Sequence, residues 1–223
     1  MADTASTPLR IRQTAILVGA SVAALVAYAG WTAATGRARL DMLPWNLFLA
    51  WIPFVIGAGI RWLAARSSHG RGLLVLPTAL WLLFFPNAPY IVTDFIHLRE
   101  SPPAYLVGDA LIIGAFAALG LALAVVSLGT VHGVVRERLG RTVGGLFVGV
   151  VAVLSGLGVW IGRVVRWNSW DLFTDPSGRL DSLAGALANP MAHVRPITFG
   201  VVFGIGLVLL YAMSRVFRPG RQR

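Results

Sequence analysis

Six apolar stretches of this chain reach or approach the length needed to cross a bilayer, and that limits its possible folds more than any motif does. They cover about residues 14–34, 45–63, 72–85, 105–131, 143–161 and 197–216. A helix needs about 20 mostly apolar residues to traverse a hydrocarbon core of ~30 Å. Within lipid every backbone N–H and C=O must find a partner inside the protein, so only helices or closed barrels can span. Runs this long, with no polar–apolar alternation, specify helices. The expected fold is all-α: a polytopic membrane helix bundle of about six transmembrane helices. One transmembrane domain fills residues 14–217, between a cytoplasmic tail at 1–13 and a basic cytoplasmic tail at 218–223.

Composition agrees and excludes several chemistries. Charged residues are 13% of the chain and the mean hydropathy is +0.74, whereas a soluble domain carries about 25% charged residues. There is no cysteine, so disulfides, thiolate nucleophiles and thiolate metal sites are excluded. Among 223 residues every one of the 19 cationic side chains is arginine. That rules out a lysine Schiff base and a phosphate-binding loop lysine. The formal charge of +10 sits in short groups beside the apolar runs. No basic stripe interleaved with aromatics is present, so the expected partner is the lipid bilayer and not nucleic acid. The first run is long for a signal peptide, and Ala33-Ala34-Thr35 is a poor cleavage site, so it reads as a retained helix.

The third run is the irregular one. Pro86 and Pro89 lie three residues apart at its end, and residues 73–85 would rise only about 20 Å as a helix. The third helix is therefore expected to be broken at Pro86-Pro89, within the membrane or at its rim. Irregular backbone at that depth must be covered by protein or line a wet cavity. Asn87 is placed to cap a new short helix with Pro89 in its first turn. At 100° per residue, Tyr90, Thr93, Asp94 and His97 share one arc of about 100°. Of the later runs, the fifth carries Gly145, Gly149, Gly158 and Gly162, small residues read as a packing surface. No internal repeat of the transporter kind is visible.

Counting arginines orients the bundle. With six spans both termini lie on one side. The tails and the connections holding Arg61–Arg71 and Arg136–Arg141 put 12 arginines and two acids there, against seven arginines and seven acids on the other side. The positive-inside rule makes the arginine-rich side cytoplasmic. The polar residues at the outer ends of spans two to five then form one extracytoplasmic constellation.

Asp94 and His97, assisted by Tyr90, have the chemistry of an acid–base pair; equally, they satisfy backbone groups freed by the proline break. A metal held by Asp94 and His97 would need Asp171 or His193 as well, and the spacing completes no ligand set, so no metal site is assigned. Arg163 and Arg166, one turn apart, suit an anionic headgroup or phosphate; equally, they neutralise Asp94, Asp109 or Asp171. Asp109 is read as the most membrane-embedded acid, with Arg163 as its partner. Asn46, Asn87, Thr93, Asn168 and Asp171 complete the candidate substrate-binding set. Trp45 and Trp51 read as interfacial aromatics, as do Trp167 and Trp170. No role is assigned to His132, and the sequence names no cofactor.

Three blocks carry a resemblance. Pro86-Asn87-Ala88-Pro89-Tyr90-Ile91-Val92-Thr93-Asp94 with His97-Leu98 is the longest. Trp45-Asn46-Leu47 with Ala50-Trp51-Ile52-Pro53 is the second. Gly162-Arg163, through Arg166, to Asn168-Ser169-Trp170-Asp171 is the third. Together they resemble a bacterial multi-pass membrane family known as domain of unknown function thirteen-sixty-one, over roughly residues 40–217. The resemblance implies a polytopic bacterial membrane protein and brings no established activity. Three functions stay open at this point: an envelope enzyme acting on a lipid-linked or anionic substrate, a non-catalytic assembly or scaffold protein, and a transporter. The last would need a polar path inward, and spans five and six offer almost no polar residue below their outer turn.

Overall fold

Residues 6–66, 71–165 and 194–216 are described in this computed structural model. Helix α1 (Ser6–Thr35) leads through a short turn to α2 (Met42–Arg66). The third span is wound in four pieces: a 3-10 turn (Arg71–Leu74), α3 (Val75–Phe84), the single turn α4 (Asn87–Tyr90) and a 3-10 helix (Ile91–Glu100). Helix α5 (Leu106–Leu139) follows, then α6 (Arg141–Trp160), which runs on into a π-helical turn (Ile161–Val165). Helix α7 (Val194–Val216) closes the bundle. Six helical spans are long and apolar enough to cross a membrane, the third of them bent across Gly72–Glu100. No strand occurs among the described residues.

Two glycines make the sharp reversals. Gly36 after α1 has φ +65° and Gly140 between α5 and α6 has φ +92°, a region where side chains with a Cβ are strained. Gly140 is the entire α5–α6 link, so Arg136, Glu137, Arg138 and Arg141 lie on the helices and not in a connection. The sequence places the end of span four too early there, because arginines one turn apart continue a helix as readily as they leave it.

Helix α5 is the central column. It packs against α1, α2, the bent span, α6 and α7, and Ile113, Phe116, Leu123, Ala124, Leu128 and Val131 on it are wholly buried. The outer helices bury much less, and Val55, Leu76, Leu146 and Val202 project outward from the bundle. That is the pattern of helices solvated by lipid, where close packing and not water exclusion holds neighbours together. Helices α6 and α7 approach most closely. A Cβ at Gly156 would fall 2.1 Å from the Gly200 carbonyl oxygen, and one at Gly204 would fall 2.9 Å from the Ala152 oxygen. Gly145 and Gly149 have open space in front of them. The packing surface of span five is therefore built from Gly156 and Gly158, and the expected role of Gly145 and Gly149 is corrected: their face of α6 points away from the bundle.

The break is covered on two sides by glycines. Gly120 of α5 lies so close that a Cβ would sit 2.5 Å from the Ala88 carbonyl, and a Cβ at Gly158 of α6 would sit 2.7 Å from the Pro86 ring. The irregular backbone is thus enclosed by protein, as its depth demands. Asn87 does not cap the new helix forward. Its side-chain amide donates backward to the Phe84 carbonyl at 2.9 Å, satisfying a group left free where α3 stops.

Candidate functional site

The Ile91–Glu100 segment rearranges the expected arc. At 3.0 residues per turn, residues three apart line up in rows, so Asp94 stands in the row of Ile91, His97 and Glu100. Tyr90 and Thr93 move to the neighbouring row. Burial falls off along this row: Ile91 and Asp94 are buried, His97 is half-buried and Glu100 is exposed. The Thr93 hydroxyl turns back and donates to the Tyr90 carbonyl at 2.7 Å. The arc of four groups on one face is therefore split, since it assumed α-helical winding.

Asp94 is the centre of the arrangement that remains. Its carboxylate is 0% exposed. Asn46 Nδ2, near the start of α2, donates to Oδ2 at 2.8 Å, and Arg163 NH2, from the π-helical turn, donates to Oδ1 at 2.8 Å. Three of the spans are clasped by one carboxylate. The Arg163 guanidinium also lies 5.0 Å from the centre of the Tyr90 ring, a cation–π contact. Its Nε is buried and has no hydrogen-bond partner among the described residues. The π-helical turn matters here, because one extra residue per turn shifts what the end of α6 presents, and such turns recur at functional sites.

Asp109 belongs to a second cluster. Its Oδ1 accepts from Trp31 Nε1 at 2.8 Å and its Oδ2 from the Ser101 hydroxyl at 2.7 Å, with Arg37 NH1 at 3.9 Å. Arg37 in turn lies 4.6 Å from the centre of the Tyr105 ring. The expected Asp109–Arg163 pair is therefore replaced by two separate pairings: Arg163 goes to Asp94, and the loop after α1 supplies Arg37. Both acids are buried, Asp94 at 0% exposed and Asp109 at 3%.

Sequence reasoning missed Trp31, Arg37, Arg39 and Ser101. Arg39 donates to the backbone carbonyls of His97 (2.6 Å) and Glu100 and to the Glu100 carboxylate, so it closes the C-terminal end of the 3-10 segment. The count of charges already put Arg37 and Arg39 at the same end as Asp109 and Glu100; that was the available signal. Trp51 is not an interfacial anchor, for its indole donates to Ser21 of α1 at 3.2 Å. Arg166, Asn168, Asp171 and His193 lie outside the described residues. Among those described, no group of three His, Asp or Glu side chains is placed to hold a metal.

A family model with the description Protein of unknown function (DUF1361) matches residues 45–211, about three quarters of the chain. No curated protein and no solved structure matches. Asn46, Tyr90, Asp94 and Arg163 all fall inside the matched region, while Trp31 and Arg37 fall outside it. Six membrane-length helices, the bent third span and the family match lead to one identification: this chain is a multi-pass membrane protein of the DUF1361 family.

Proposed function

We propose that the Asp94–Arg163 end of the bundle is an anion-binding site on the extracytoplasmic face of the bacterial inner membrane, serving an envelope enzyme that acts on a lipid-linked or otherwise anionic substrate. The observation that carries this reading is the Arg163 guanidinium, which is bound to Asp94 through one nitrogen while its buried Nε lacks a partner among the described residues. A buried donor without a partner costs about 1–3 kcal/mol, and a phosphate or carboxylate is the group a guanidinium edge fits best. Asp94 then orients Arg163 and does not act as the base, since both its oxygens are engaged. His97, half-buried and one turn away, is the candidate for proton transfer.

The arginine asymmetry supports the orientation. Arg37, Arg39, Arg99 and Arg163 share their end with Asp41, Asp94, Glu100 and Asp109; Arg61, Arg66, Arg136, Arg138, Arg141 and Arg215 share the opposite end with Glu137 alone among the described acids. A reporter fused after Pro102 is expected to score as extracytoplasmic, and a cytoplasmic signal would refute that orientation.

A scaffold reading is favoured by the complete burial of Asp94, whose clasp ties α2, the bent span and α6 together. Thermal melts of the purified protein with dodecyl phosphate, against uncharged dodecyl maltoside alone, separate the two. On the anion-binding reading dodecyl phosphate raises Tm, Arg163→Lys loses the rise, and Asp94→Asn enlarges it by releasing Arg163 from its internal counter-ion. A clasp alone predicts that both variants melt lower and that dodecyl phosphate shifts none of them.

A further inference from the structure

At the arginine-rich end, away from Asp94, an apolar groove of about 410 Å³ opens between the start of the bent span, the last turns of α5 and the first turns of α6. Leu74, Val75, Val135, Leu146 and Val150 line it, Arg138 stands at its rim, and Phe147 forms its back wall by stacking on the buried Trp81 at 5.9 Å. From Val131 to Leu139 the groove follows α5 for about 12 Å at 1.5 Å per residue. That is most of the ~15 Å half-thickness of a hydrocarbon core. A slot with that length, that lining and an outward-facing opening has the dimensions of one acyl chain lying along the bundle.

Charge specifies the rest of the occupant. The groove ends where the Arg138 guanidinium donates to the Ala64 carbonyl, with Arg141 exposed at the start of α6. Glu137, the acid beside them, is already paired with Arg61. Arginines at the boundary of a hydrocarbon slot suit a phosphate headgroup with net negative charge. We infer that this groove holds one acyl chain of an anionic phospholipid, whose phosphate meets Arg138 and Arg141. The site is independent of the one around Arg163.

Delipidated full-length protein in detergent, titrated with dioleoyl-phosphatidylglycerol or dioleoyl-phosphatidylcholine and examined by native mass spectrometry, tests the assignment. Retention of phosphatidylglycerol at about tenfold lower concentration than phosphatidylcholine is expected. Arg141→Gln and Leu146→Trp should each reduce that preference at least fivefold, and Arg99→Gln, at an exposed arginine of the opposite end, should leave it intact. Leu146 in the groove and Arg141 beside it are both exposed, so the variants are expected to fold, and an unchanged helical melt verifies this. Equal retention of the two lipids would overturn the inference. So would an undiminished preference in both variants, equal protection by inorganic phosphate alone, or a second copy of the chain cross-linking through Val143→Cys in place of lipid.

Discussion

The two buried carboxylates at the polar end solve the same problem by different means. Asp94 is neutralised by a full ion pair at 2.8 Å plus one amide, all from distant spans. Asp109 is held mainly by neutral donors, an indole and a hydroxyl, with its arginine at 3.9 Å. Neutral donors satisfy lone pairs without committing a second buried charge, so the Asp109 cluster is complete in itself. The Asp94 cluster binds its arginine directly and, among the described residues, leaves that arginine's Nε without a partner, although Arg163 and Arg37 are similarly exposed, at 20% and 24%. The difference teaches where to look for a ligand: at the carboxylate whose counter-ion still has a donor to offer.

Removing partners should expose that contrast. Arg163→Ala leaves Asp94 buried and uncompensated and is expected to lower unfolding stability by about 3–5 kcal/mol, read from SDS titration in mixed micelles. A loss under about 1 kcal/mol would mean that Asp94 is not ionised in the folded protein, and the contrast would collapse. Alanine at the two supporting glycines sharpens it further. Gly120→Ala drives a Cβ against the backbone carbonyl of Ala88, whereas Gly108→Ala meets the Trp31 ring at 2.1 Å. A backbone wedged against α5 has nowhere to go, but an indole near the end of α1 can swing out. Gly120→Ala is expected to cost about 2–3 kcal/mol and Gly108→Ala about 1 kcal/mol, the latter with a shift in tryptophan emission as Trp31 leaves Asp109. The smallest effect belongs to Arg37→Gln. Its carboxylate is already satisfied, so a loss of about 0.5 kcal/mol is expected, and a larger one would make Asp109 as dependent on charge as Asp94.

Spans and break were legible in the sequence because both follow from local facts: run length, and prolines without an N–H. Asp94 and Arg163 were legible as members of the site for a similar reason, since charged residues at membrane depth are rarely idle. What was not legible was rotation. Whether Arg163 faces Asp94 or Asp109 depends on the π-helical turn at the end of α6, and whether Tyr90 and Asp94 share a face depends on 3-10 winding beyond Pro89. Neither winding leaves a mark in hydropathy. Trp31 and Arg37 escaped for another reason: they belong to the first span and its loop, and only the folded bundle brings them over Asp109.

The 3-10 winding of Ile91–Glu100 gives this segment something like a reading frame. Ile91, Asp94, His97 and Glu100 stand in single file, and the file passes from the interior to the surface in steps of about 6 Å. Losing one residue between Asp94 and His97 would turn everything beyond it by 120° and put Leu98 where the imidazole stood. Losing residues 95–97 together would keep the frame, bring Glu100 into the place of His97, and shorten the path to Asp94 by one step. Spacing in threes, more than the identity of any single residue between them, is what keeps this file aligned with Asn46 and Arg163.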